Sequence, residues 1–207
     1  MSICDLRVGR FATALPAVFA LSMLTAQPGT AQQAHTTPRS STIRHFQSIS
    51  PTFGPAGTVV QLATLNLPLE YKVHIGYGAT RMGFETLFEV RQDMWGDISA
   101  EVTVPPSAPW DRAIFFVAFN AIFSPIGLSD PFHVLNENGM LRRTGRITDE
   151  SETCMTMRDQ DDYLYALTGD VAGLSVGDDV TVEGSYSETS SCLDGSAIGV
   201  VRVNPVG

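Results

Sequence analysis

From Ile43 onward, short β-branched and aromatic runs alternate with Gly, Pro, Asn and Asp, and no stretch keeps the 3.6-residue period of an amphipathic helix. Over 58–62, Val60 and Leu62 share one face, and Val59 and Gln61 the other. Over 71–75, Val73 and Ile75 oppose Lys72 and His74; over 98–104, Ala100, Val102 and Val104 oppose Glu101 and Thr103. One dry face and one wet face predict strands of antiparallel sheets. Residues 114–119 differ, because Ile114-Phe115-Phe116-Val117-Ala118-Phe119 is apolar on both faces, with Ile122 and Phe123 close behind. A sandwich strand needs only one apolar face, so something is expected to cover the other. The candidates are the local segment 84–95 (with Leu87, Phe88 and Trp95), the second half of the chain, or a partner docking on Phe115, Phe116, Phe119 and Phe123. In the second half, 144–148, 154–158, 163–167, 180–184 and 197–203 read as five further strands. The stretch Asn136-Glu137-Asn138-Gly139 carries no apolar residue and reads as the boundary.

The first residues follow another logic. Arg7 and Arg10 precede an uncharged, largely apolar stretch over 11–24, then Pro28, and Gly29 and Ala31 stand at the −3 and −1 positions of a cleavage site. This is the form of a secretory signal peptide, 1–31, too short in its apolar core to span a bilayer. Residues 32–42 are polar and read as a flexible lead-in. Beyond the signal, no apolar run approaches a membrane span. The expected destination is periplasmic or secreted.

Export changes the cysteine count and the charge. Of three cysteines, Cys4 leaves with the signal, so Cys154 and Cys192 form an even pair in an oxidising compartment and are expected to be disulfide-bonded. Losing Arg7, Arg10 and Asp5 from 13 basic and 22 acidic residues leaves a net charge of −10. Residues 141–207 alone hold five Arg against twelve acidic residues, which argues against nucleic-acid binding.

The first half carries a resemblance. Ile49-Ser50-Pro51, then Gly54-Pro55-Ala56-Gly57-Thr58-Val59-Val60-Gln61-Leu62, then Leu65-Asn66-Leu67, resembles the opening of an IPT/TIG domain. Val73-His74-Ile75-Gly76, Val104-Pro105-Pro106 and Ser129-Asp130-Pro131-Phe132-His133-Val134 resemble its second strand, its proline-ended strand and its closing strand. Thr64 stands where the family usually has Gly. The resemblance implies an immunoglobulin-like sandwich over 43–135, with Pro55 presetting a turn and Gly54 and Gly57 free to take positive φ. After a linker over 136–140, residues 141–207 contain Gly177-Asp178-Asp179-Val180-Thr181-Val182-Glu183-Gly184. Five short strands with this element resemble a small OB-like Greek-key barrel. The segment is also similar to a bacterial exported family of unknown function, with one Cys at the start of strand two and another before the last strand. The fold class expected is all-β, an immunoglobulin-like sandwich followed by a five-stranded OB-like barrel.

Candidate chemistry is sparse. Of the histidines, His35 and His45 lie in or beside the lead-in, and His74 and His133 read as surface strand positions. No Gly-x-Ser-x-Gly elbow occurs. Asp159, Asp161 and Asp162, like Asp178 and Asp179, fall where Asp favours turns by bonding its own backbone. No catalytic residue, cofactor or metal ligand is assigned. Asp161, Asp162, Tyr163 and Tyr165 are the best candidates for a ligand, because aromatic faces beside carboxylates suit sugars; Tyr186 would strengthen them if it shared an open face. The expected function is a non-catalytic exported binding or assembly module of the bacterial envelope, its partner an envelope protein or a glycan. The alternative is a glycan-binding protein using the barrel.

Overall fold

The computed structural model describes residues 43–190 and 196–206, and every regular element among them is a β-strand. The proposed signal peptide, the lead-in with His35, and Cys192 lie outside the described residues. Ten strands come first: β1 (Arg44–His45), β2 (Ser48–Ser50), β3 (Phe53–Pro55), β4 (Val59–Thr64), β5 (Val73–Ala79), β6 (Gly83–Val90), β7 (Ile98–Thr103), β8 (Ala113–Phe119), β9 (Pro125–Leu128) and β10 (Phe132–Leu135). Five follow: β11 (Met140–Thr148), β12 (Thr156–Asp159), β13 (Leu164–Gly169), β14 (Asp179–Ser187) and β15 (Ala197–Pro205).

The first ten build a two-sheet sandwich. One sheet is β2-β4-β7 and the other centres on β8, which pairs with β5 on one side and with β9 and β10 on the other. The alternation read from the sequence sets which residues meet between the sheets: Val60 and Leu62 from β4 and Val102 from β7 face Ile75, Ile114, Phe116 and Phe132. Thr64, in place of glycine, keeps the ladder in register opposite Ile98 and accepts the Ile98 N–H on its hydroxyl at 3.0 Å. Gly57 does take a positive φ of 87°. Gly54 does not: it pairs with Val134 inside β3, and a Cβ there would run into the Thr58 side chain. Its role is close approach rather than a turn conformation.

The five later strands close into a barrel in the order β11-β12-β13-β15-β14. Neighbours are antiparallel except β13 and β15, which run parallel. Leu141, Ile147, Met157, Leu167, Val182 and Ile198 fill it. The expected linker is a tight turn: Asn136 Oδ1 accepts the N–H of Asn138 and Met140, both at 2.9 Å, and Gly139 turns the chain at a φ of 73°. Met140 already belongs to β11. Sandwich and barrel lie together in the compact unit spanning 40–207.

Candidate functional site

Sandwich and barrel meet through a buried polar cluster. His133 on β10 is 3% exposed, not a surface strand position, because the barrel closes over the face it occupies. Arg143 on β11 is fully buried. Its guanidinium donates to His133 Nδ1, to the Tyr165 hydroxyl and to the Trp110 carbonyl, each at 3.1 Å. It also donates to the Arg142 carbonyl at 2.6 Å. Its Nε lies 3.7 Å from Asp159 Oδ2, a buried oxygen with no hydrogen-bond partner of its own. Arg offers no acceptor, so His133 Nδ1 must accept and the imidazole is neutral. Burial, then the Arg143 charge, lower the His133 pKa to about 3. Burial raises the Tyr165 hydroxyl and the Asp159 carboxyl above their ordinary ranges. Aromatic contacts complete the seam. His133 packs against Tyr186 at 4.4 Å, Phe53 meets Tyr186 edge-on at 5.2 Å, and Phe115 meets Tyr163 at 6.2 Å. Arg143 spends its donors on His133, Tyr165 and two backbone carbonyls, and the cluster is buried, so its chemistry is that of a clamp.

This geometry redraws the predicted ligand residues. Tyr165 is 1% exposed beneath Arg143 and offers no stacking face, so it is withdrawn as a ligand residue. Tyr163 is half-buried against Phe115, and burial with nearby Asp159, Asp161 and Asp130 pushes its hydroxyl up to about 12. The half-buried Tyr186 is turned into the seam and its hydroxyl is bonded to Ser196 at 2.8 Å. Asp162 holds the hairpin at a φ of 74°, and its carbonyl and Oδ1 both accept from Arg158. Asp159 Oδ1 accepts the Asp161 and Tyr163 N–H groups at 2.9 Å, the turn role expected of these carboxylates. Cys154 is half-buried just before β12.

The four phenylalanines separate as well. Phe116 is wholly buried in the sandwich core against Phe132 and is no docking residue; its side of β8 faces the other sheet. Phe115 is taken by the barrel through Tyr163. Phe119 is buried against Phe84, the one part of the expected local cover that reaches this face. Leu87 and Phe88 pack on the sandwich core from β6, and Trp95 is 68% exposed elsewhere. Phe123 stays exposed, stacked on His74 at 5.0 Å.

Away from the barrel, the sandwich carries a different surface. Thr64 pairs with Ile98, Val73 with Val90, and His74 with Phe119. The connections 65–72, 91–97 and 120–124 therefore leave the same pole. They expose Leu69, Tyr71, Met94, Trp95, Ile122 and Phe123, with Tyr71 at 99%. The loops are braced. Leu67 is buried in the core, and Gly96, at a φ of 90°, sits so close to the Leu67 carbonyl that no Cβ would fit. Gln92 donates to Pro68 O at 2.9 Å and Gly96 O at 3.2 Å and accepts the Glu70 N–H at 2.9 Å. Asp97 accepts the Asn66 N–H at 2.7 Å, and Asp93 accepts those of Trp95 and Asp97. In the sequence, Phe123 reads as a docking residue, Tyr71 as part of the strand over 71–75 and Trp95 as local cover, and nothing in that reading joins them into one surface; the further signal available is Leu69 and Met94 standing among Pro and charged residues.

Among the described residues no group of three or more His, Cys, Asp or Glu is placed to hold a metal ion, and no helix is long and apolar enough to cross a membrane. No protein-family model matches the chain, and no curated protein is significantly similar to it.

Proposed function

We propose that this chain is an exported, non-catalytic binding or assembly module of the bacterial envelope that engages its partner through the loop pole of the sandwich. The observation that carries the reading is the exposure of six large apolar side chains on loops fixed by their own hydrogen bonds. Exposed apolar groups gathered on one surface mark contact sites, and bracing lowers the ordering cost of contact. The buried cluster supports a non-catalytic role, since the acid–base groups His133, Tyr165 and Asp159 are buried and bonded where no reacting atom can approach. The buried Tyr165 weighs against glycan binding by the barrel.

The sandwich is read as an IPT/TIG-type domain on the motifs named above, and the barrel as OB-like. The strand order, with its third and fifth strands parallel, supports the latter. A periplasmic or secreted location rests on the form of residues 1–31. A Cys154–Cys192 bridge accords with that location. Oxidative footprinting of the purified protein with envelope extract tests the reading. Protection of Tyr71, Met94 and Trp95 is expected. Protection confined to the barrel, or none, refutes it.

A further inference from the structure

Two clefts open beside the braced loops, and we infer that together they bind a neutral oligosaccharide. The inference rests on the proposed binding role of the loop pole. One cleft, of about 380 Å³, lies between 69–73 and 89–93; the other, of about 510 Å³, lies between residues 91–93 and the paired ends of β4 and β7. They share Arg91, Gln92 and Asp93, so one extended ligand passing over these residues occupies both.

The aromatic residues fit this path. Tyr71 lines the first cleft, and Trp95 is tied beside both by its N–H, which Asp93, a residue lining the two clefts, accepts at 2.8 Å. Both rings are open to solvent, Tyr71 at 99% and Trp95 at 68%. The negative face of an aromatic ring attracts the weakly positive C–H face of a pyranose, and neither residue has another evident use for its exposure. Beside apolar residues such as Leu69 and Leu65, the linings carry Glu70, Arg91, Asp93 and Asp97, the last two with Oδ1 already bonded to loop N–H groups. Such groups take vicinal hydroxyls in pairs, whereas an apolar peptide would leave them desolvated and unpaired.

Charge selects the class of sugar. Glu70, Glu89, Asp93 and Asp97 outnumber Lys72 and Arg91, and Lys72 is already held by Glu89 at 2.7 Å. A phosphorylated or uronic-acid polymer would meet net negative charge; a neutral one would not. The site therefore lies on the sandwich and not on the barrel residues Asp161, Asp162 and Tyr163.

The test uses the purified exported chain and the neutral hexasaccharides of cellulose, xylan, starch and chitin. Binding is followed by calorimetry and by tryptophan emission, to which Trp95 contributes as the exposed one of two tryptophans. At least one hexasaccharide is expected to bind, and Tyr71→Ala and Trp95→Ala each to weaken it about tenfold or more. Their melting temperatures should not change, because both side chains are exposed, and Asp162→Asn should bind as wild type. Binding that survives the double variant, or that only Asp162→Asn removes, overturns the inference. Silence from all four sugars, with Tyr71 and Trp95 still protected by envelope extract, overturns the glycan while leaving the pole as the binding surface. Silence in both assays overturns both.

Discussion

Acidifying this protein should unfold it through His133. The imidazole is neutral at the seam because Nδ1 accepts from Arg143 at 3.1 Å and solvent is excluded. Its pKa falls from the ordinary 6.5 to about 3, through burial first and the Arg143 charge second. The unfolded chain takes up a proton as pH drops through 6.5, whereas the folded chain resists until about 3. Stability is therefore complete above pH 6.5, declines below it, and levels off near 3. At about 1.36 kcal/mol per pH unit, the loss between about pH 7.5 and pH 5 comes to roughly 2 kcal/mol. Asp159 works in the opposite direction lower down: burial raises its carboxyl above 3.8, so protonating it favours the folded state there. The exposed pairs Glu89–Lys72, Glu150–Arg158 and Asp179–Arg146 have carboxyls held below their ordinary values, so their contribution starts to be lost as pH falls below 4.5 for the two glutamates and 3.8 for Asp179.

The variant that isolates this effect is His133→Asn. Its amide oxygen can still accept from Arg143, but it cannot titrate. Urea denaturation followed by circular dichroism at about pH 7.5 and pH 5 reads both proteins. Wild type should lose roughly 2 kcal/mol between the two conditions and the variant less than about 0.5, whatever its starting stability. Equal losses in both would mean that His133 is not the titrating group and that the seam is hydrated.

Other substitutions probe the same architecture. Arg143→Met should cost about 3–5 kcal/mol in the same denaturation assay, because it strands the Asp159 carboxylate and the Tyr165 hydroxyl in a dry seam; a loss under about 1 kcal/mol would contradict a buried clamp. Phe116→Ala should cost about 3–5 kcal/mol and Phe115→Ala clearly less, since only the former faces the sandwich core; equal losses would place both in one core. Mass spectrometry under non-reducing conditions should show no free thiol at Cys154 or Cys192, and reduction should remove about 4 kcal/mol for a loop of about 38 positions. With the net charge of −10 expected if residues 1–31 are removed, no binding to DNA or anionic vesicles should be measurable near physiological salt; tight, salt-sensitive binding would reveal a basic patch.

Much of the fold was legible because strand alternation is a local signal. Val60, Leu62, Val73, Ile75 and Val102 were placed on buried faces from period alone, and each is 2% exposed or less. The five barrel strands were found with ends within a few residues, and β11 was underestimated because Arg142 and Arg143 resemble an edge rather than a strand interior. His133 and Arg143 show where local reading fails. His133 sits between Phe132 and Val134, and Arg143 between Arg142 and Thr144; both patterns put the polar side chain outward, and for an isolated strand that is correct. The outward face of β10 is buried only because the turn at 136–139 folds the barrel back onto it, a long-range fact absent from any short window.

The loop pole, of which only Phe123 was expected to dock, stayed unassembled for a related reason. Hydrophobic period identifies residues that build the core, and it treats an apolar residue in a loop as noise. Tyr71, Trp95 and Ile122 acquire meaning only when the register of β4, β5, β6 and β8 brings their loops to one end. The same register explains the double apolarity of β8, which first suggested a docking strand. One face fills the sandwich, Phe115 at the near end meets the barrel, and Phe119 at the far end meets Phe84. A strand that is central in its sheet and also touches a second module has no wet face to spare. The proposed docking surface therefore falls on the loops at the opposite end, where exposure costs the core nothing.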